Sequence, residues 1–301
     1  MLAKLTIVSA FVLAATTSTA RADVKVLATV PDLAALAQEV GGKHVRVKAL
    51  SLATQDPHYV DAKPSLALAL NKADLLLAIG LDLEIGWLPT LQTGARNPAI
   101  RTGADGFLDC STFITPMDVP SGKIDRSAGD IHPTGNPHYL SDPRAAAKVA
   151  KGIADRLAKL DPDHASDYAA NLEDFLGRLN KARAGWEKRM KPLAGTRVIA
   201  YHKSFIYLND WLGLEEAAYL EPKAGVKPSP GHIAKVIALG KKHSIKVVLL
   251  EGYYPESMAK LAAKKMGAKL IKIPGGADVT DGQSYIEHID AVVSALEEAL
   301  Q

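Results

Sequence analysis

Leu75-Leu76-Leu77-Ala78-Ile79 is an uninterrupted apolar run of strand length, preceded by Asn71-Lys72-Ala73-Asp74 and followed by Gly80. A strand without polar alternation is buried on both faces, as in a parallel sheet covered by helices. Upstream, Val24 to Thr29 and Val45 to Leu50 also read as strands. Between them Leu33, Leu36, Ala37 and Val40 recur at helical spacing, from the start at Pro31-Asp32 to the stop at Gly41-Gly42. Pro64-Ser65 opens a further helix that runs through Asn71. Strands alternating with helices are the grammar of a parallel α/β sheet. Ligands of such sheets bind in the loops beyond the carboxyl ends of the strands.

The pattern restarts past Pro192. Arg197 to Ala200, Ala217 to Leu220, Lys246 to Leu250 and Lys269 to Ile273 read as strands, and Ile233 to His243, Ser257 to Met266 and Tyr285 to Leu300 as helices. Between the two halves lie a helix from about Pro143 to Leu160, a break at Asp161-Pro162, and a second helix to about Met190. In the second, Tyr168, Leu172, Phe175, Leu179, Ala182, Trp186 and Met190 share one face. About 26 residues at ~1.5 Å each make a rod of roughly 40 Å, longer than a crossover within one sheet needs. The expected fold class is therefore α/β, with two parallel-sheet lobes joined by one long rigid helix. The division is 1–22 leader, 23–160 N-terminal lobe, 161–192 linking helix and 193–301 C-terminal lobe.

The leader reads as a secretory signal peptide. Lys4 gives a positive start, Leu5 to Ala15 an apolar core too short for a permanent membrane anchor, and Ala20-Arg21-Ala22 a small-x-small cleavage site. Cleavage there removes Lys4 and Arg21 and no acid, taking the net charge from +3 to +1. A near-neutral chain has no electrostatic footprint for nucleic acid. The one cysteine, Cys110, cannot close an internal disulfide and lies too far from the leader to carry a lipoprotein's lipid. A buried small hydrophobe is its plainest reading. These features place the product in the periplasm as a soluble protein, not a lipoprotein.

Eight of the nine histidines fall into two groups. His44, His164 and His243 sit in polar surface contexts, while His232 and His288 flank or lie within helices. His58 in Asp56-Pro57-His58-Tyr59, His138 in Gly135-Asn136-Pro137-His138-Tyr139 and His202 in Tyr201-His202-Lys203-Ser204 instead occupy loops at strand ends or at the strut junction, in both lobes. Taken alone, each could be a hydrogen-bonded loop histidine. Together they match a metal site assembled by a fold, since neutral imidazole is the commonest metal ligand near neutral pH. A closed tetrahedral site needs a fourth ligand. Asp278 or Asp281, after the final strand, is placed for it, and both could equally be turn residues. Residues 115–137 form a Pro/Gly/Asp-rich loop containing Asp118, Asp125, Asp130 and His132.

These motifs resemble the metal-specific solute-binding proteins of bacterial ABC importers, the zinc and manganese group known as ZnuA-like or TroA-like. The likeness covers essentially the whole chain after the leader. It rests on Asp56-Pro57-His58 with Lys63-Pro64-Ser65, Asn71-Lys72-Ala73-Asp74, Gly80-Leu81-Asp82-Leu83-Glu84 with Trp87, and Gly135-Asn136-Pro137-His138-Tyr139 with Asp142-Pro143. In the second half it adds Tyr201-His202-Lys203-Ser204-Phe205 and Glu221-Pro222-Lys223. The resemblance implies a metal in the cleft between the lobes, held by His58, His138 and His202. It further implies an acid after the last strand, for which Asp278 is preferred and Asp281 held in reserve. Histidine at the third position favours Zn(II) over Mn(II) as cargo. The implied partners are an ABC importer permease and a periplasmic metallochaperone, with the protein itself a monomer. The long His- and acid-rich loop of many zinc members is missing; residues 115–137 keep only His132, a candidate accessory ligand, and a few aspartates. The rival reading, a zinc-dependent hydrolase, lacks a His-Glu-x-x-His motif.

Overall fold

The computed structural model describes residues 23–121 and 132–301. The signal peptide read at 1–22 and the stretch 122–131, with Asp125 and Asp130, lie outside the described residues. The N-terminal half contains β1 (Val24–Ala28), α1 (Pro31–Gly41), β2 (Val45–Ala49), α2 (Pro64–Asn71), β3 (Leu75–Ala78), α3 (Leu88–Ala95), β4 (Phe107–Asp109) and α4 (Pro143–Leu160). The linking helix is α5 (Ala165–Met190). The C-terminal half contains β5 (Arg197–Ala200), α6 (Ile206–Leu212), β6 (Glu215–Tyr219), α7 (Pro230–Lys242), β7 (Val247–Glu251), α8 (Glu256–Met266), β8 (Lys269–Ile273) and α9 (Tyr285–Leu300).

Each half builds a four-stranded, wholly parallel sheet, ordered β2-β1-β3-β4 in one lobe and β6-β5-β7-β8 in the other. The same winding repeated places a topological switch point between β1 and β3, and another between β5 and β7. Chain crossovers there leave the crevices in which open α/β sheets bind ligands. All residues of β3 and of β7 are buried, as the apolar runs required.

Two helices escaped the sequence reading, and β6 begins two residues earlier than the apolar pattern suggested. The helix α3 has only two turns, with Pro89 in the first and Gly94 near the end, too short a run to show a period. In α6, Tyr207, Leu208, Asn209, Trp211 and Leu212 are all buried, which leaves no polar face to betray a helical period.

The strut α5 packs against α1, α4 and α9, and so touches both lobes. Tyr168, Phe175, Leu179, Trp186 and Met190 form its buried face. The lobes are also joined without the helix. One apolar cluster runs from Leu33 and Val149 of the first lobe through Phe175 to Phe205, Leu249 and Val293 of the second. Hydrogen bonds stitch the same boundary: Tyr285 Oη donates to Leu140 O (2.7 Å), Ala277 N to Asp32 Oδ1 (2.8 Å) and Gly275 N to Ala53 O (2.9 Å).

Phe175 is fully buried in this shared core. Its truncation to alanine is expected to cost about 3–5 kcal/mol, from lost burial plus the cavity left behind. Urea unfolding of the metal-free protein checks it. A loss under about 1 kcal/mol would show that the strut packs loosely.

Candidate metal centre

His58 lies in the loop after β2, His138 directly before the turn that leads into α4, and His202 two residues beyond β5. The three converge between the lobes. One ring nitrogen from each lies within 4.8 Å of the other two. Ring centroids are 5.3 Å apart for His58 and His138, and 5.7 Å for each of the other two pairs. Three ring nitrogens this close, each able to offer a lone pair, could hold one metal ion between them.

Carboxylates fix the ring orientations. His58 Nδ1 pairs with Asp56 Oδ1 at 2.7 Å, and His202 Nδ1 with Glu221 Oε2 at 2.7 Å. A proton held on Nδ1 by a carboxylate leaves Nε2 as the nitrogen that carries the lone pair, the arrangement typical behind ligating imidazoles. Asp56 also accepts from the His58 backbone N–H at 3.0 Å. Burial alone would push the Asp56 carboxyl up, but the hydrogen bonds and charge of His58 outweigh it and hold the group below its usual range. His138 has no such carboxylate. The Asn136 side chain accepts from its backbone N–H at 3.0 Å and so shapes the turn, while Asn136 Nδ2 donates to Lys203 O across the cleft at 2.8 Å. The His138 ring is half-buried as a residue, yet its Nε2 is sealed from solvent without a partner. Burial, reinforced by the facing imidazoles of His58, His202 and His132, pushes its pKa well below the ordinary value. The ring is therefore held in its neutral form.

His132 comes in as well: its Nε2 stands 3.2 Å from His58 Nε2. One of the two must carry the proton there, so His132 donates if His58 keeps its Nδ1 proton for Asp56.

Asp278 and Asp281 are not brought to this cluster. Both are exposed. Asp278 Oδ1 accepts from Thr280 Oγ1 at 2.6 Å and from Thr280 N at 3.2 Å, which makes it the anchor of its own turn and lowers its pKa. Between β8 and that turn the chain passes the cleft as Gly275-Gly276, and a Cβ on Gly275 would meet Tyr253 Cε1 at 2.7 Å. An acid has no room there. Sequence reasoning also missed the partners Asp56 and Glu221, although each was quoted in a motif. Asp56 could have been read from its position two residues before His58, the spacing of an Asx turn.

The family profile described as "Zinc-uptake complex component A periplasmic" matches residues 26–299. The high-affinity zinc uptake system protein ZnuA of Paracoccus denitrificans is 25% identical over 265 residues, 76% of this chain and 77% of its own. The manganese-binding lipoprotein MntA of Halalkalibacterium halodurans is 21% identical over 285 residues, 90% of this chain and 88% of its own. Among solved structures, a crystal structure of ZnuA superposes with a TM-score of 0.79 at 24% identity, covering 93% of this chain and all of that one.

Because His138 is held neutral by burial, the unfolded chain takes up its proton first as pH falls through about 6.5. Metal-free protein should therefore lose stability on acidification across that value. A His138→Gln variant, lacking the titrating ring, should lose less. Urea midpoints at about pH 7.5 and about pH 5.5 compare the two, and equal losses would assign the acid sensitivity to other groups.

Proposed function

The chain belongs to the zinc-uptake complex component A family of periplasmic metal-binding components of ABC metal uptake, and we propose that its cargo is Zn(II), held by His58, His138 and His202 and delivered to an importer permease. The observation that carries this reading is the nitrogen donor set. Imidazole suits zinc, whereas manganese wants more oxygen. The sealed, unpartnered Nε2 of His138 supports the same reading, since a buried polar atom left alone calls for a visitor that satisfies it. The relatives include both zinc and manganese binders, so the choice of metal rests on these donors and not on kinship.

A binding role without catalysis accords with the carboxylates around the cluster. Asp56 and Glu221, the carboxylates hydrogen-bonded to the cluster, are engaged as partners of His58 and His202 and so are not free to act as the general base a zinc hydrolase needs. The bonds across the lobe boundary and the single strut favour a small closing motion over a wide hinge. Both lobes of the cleft come from one chain, which supports a monomer that meets its permease, or a metallochaperone supplying the ion, one at a time. Cys110 is buried in the first lobe, in keeping with an unlipidated product. His132, in contact with His58, is an accessory donor in this scheme.

Metal analysis after loading and exhaustive dialysis tests the proposal. One zinc per chain is expected, preferred over manganese in competition, with occupancy sharply reduced in His58→Ala, His138→Ala and His202→Ala and less affected in His132→Ala. Failure of the unsubstituted protein to retain any divalent ion would remove the reading.

A further inference from the structure

The three imidazoles leave the ion's last position without a carboxylate, yet an interlobe cavity of about 100 Å³ lined by one of them, His138, holds one. Glu251, the last residue of β7, lines that cavity together with His138 and Ser204. It is 3% exposed, and both of its carboxyl oxygens are sealed without any hydrogen-bond partner. A buried carboxyl with neither oxygen satisfied is costly, and its persistence asks for an incoming group that repays the desolvation. Asp56 and Glu221, the other acids near the cluster, already accept from imidazoles.

Topology places Glu251 for coordination. Ala200 and Leu249 are register partners in the parallel pair β5–β7, and Tyr201 N continues the ladder to Leu249 O at 2.8 Å. His202 keeps an extended backbone, with φ −121° and ψ 171°, so the alternation carries on past the strand. His202 and Glu251 therefore end neighbouring strands, two residues beyond the pair Ala200 and Leu249, on the same sheet face. They flank the switch point of the second lobe, where open sheets bind their ligands. The carboxyl oxygens stand outside the 4.8 Å cluster of the three histidines, but glutamate has three side-chain torsions, and the cavity that its carboxyl lines also reaches His138.

We propose that Glu251 swings into the position left open by His58, His138 and His202 and supplies the carboxylate of this metal site, and with it the affinity for oxygen-preferring ions such as Mn(II). The inference rests on the metal-binding reading above. Ligation asks for the ionised carboxylate, so the carboxyl sheds its proton as the ion arrives. One negative charge then offsets half the charge of a divalent ion among three neutral rings.

The test compares the purified protein with Glu251→Gln, which keeps the shape and loses the anionic donor. Zn(II) and Mn(II) affinities are measured by chelator competition, and Co(II) serves as a spectroscopic probe. Glu251→Gln should weaken Zn(II) roughly tenfold or more and Mn(II) more steeply than Zn(II). The visible bands of its Co(II) form should shift, and they should shift again on adding azide, which enters the vacated position. Glu251→Met repeats the comparison should the glutamine variant fold poorly. Wild-type Co(II) bands in both variants, or an unchanged Mn(II)-to-Zn(II) ratio, would overturn the proposal while leaving the three-histidine site intact. A band shift in His132→Ala with none in Glu251→Gln would hand the position to His132. Absence of metal from the unsubstituted protein would overturn both readings.

Discussion

The boundary between the lobes is the constraint on which the rest depends. His58 and His138 belong to one lobe and His202 to the other, so they meet only because the two lobes are held at a fixed separation. One continuous apolar core spans the boundary, and Asp32, Leu140 and Ala53 each accept a hydrogen bond from the opposite lobe. Tyr207 works in both directions, donating to Asn136 O and accepting from Met117 N, each at 2.8 Å. Each buried bond is worth only about 1 kcal/mol net. Their number and spread fix an orientation more than they add stability. Asp32 shows the cost: burial pushes its carboxyl above the usual range, and the charge of His288 and the Ala277 N–H offset this only in part.

Holding three imidazoles this close together, tilted or edge-on to one another, is the second demand. Protonated rings at these separations would repel, so the site works only if they remain neutral, and burial of His138 secures that for the most enclosed member. The carboxylates Asp56 and Glu221 set the tautomers of the other two. A water-exposed cluster would have neither property. The rigid boundary thus creates the enclosure, and the enclosure creates the chemistry: ring nitrogens that offer lone pairs instead of protons.

Much of this was legible in the sequence because the strands that position the site are buried on both faces. Leu75 to Ala78 and Val247 to Leu250 could hardly be anything but interior parallel strands, and the three histidines announce themselves by lying in turn-rich loops at element ends. Short elements were not legible: α6 is buried nearly all round and shows no period. Nor could composition separate a turn-anchoring aspartate from a ligand. Asp278 sits at a plausible distance after the last strand, but its partner turned out to be Thr280, two residues along. Local hydrogen bonding by Asp competes with every long-range role proposed for it. Glu251 was hidden for the opposite reason. It reads as the polar end of an apolar strand, and only the second sheet edge and the facing lobe reveal that it is sealed and unpartnered.

The donor set also bears on why one scaffold serves several ions. The zinc-named and manganese-named relatives align over most of this chain, so fold and lobe spacing do not choose the metal. Divalent first-row ions differ little in size, and raw affinity follows a fixed order that protein geometry bends but does not reverse. What remains adjustable is the ratio of nitrogen to oxygen and the coordination number. Three rings held by backbone and carboxylate partners are hard to change without losing the site. The remaining position is cheap to change, because it depends on one side chain at a switch point or one acid in a passing loop. In this chain the loop route is closed by Gly275 packed against Tyr253 and Ala53. On the proposal made for Glu251, selectivity is set from within the second sheet, at the strand end beside His202, and not from the loop that follows its last strand.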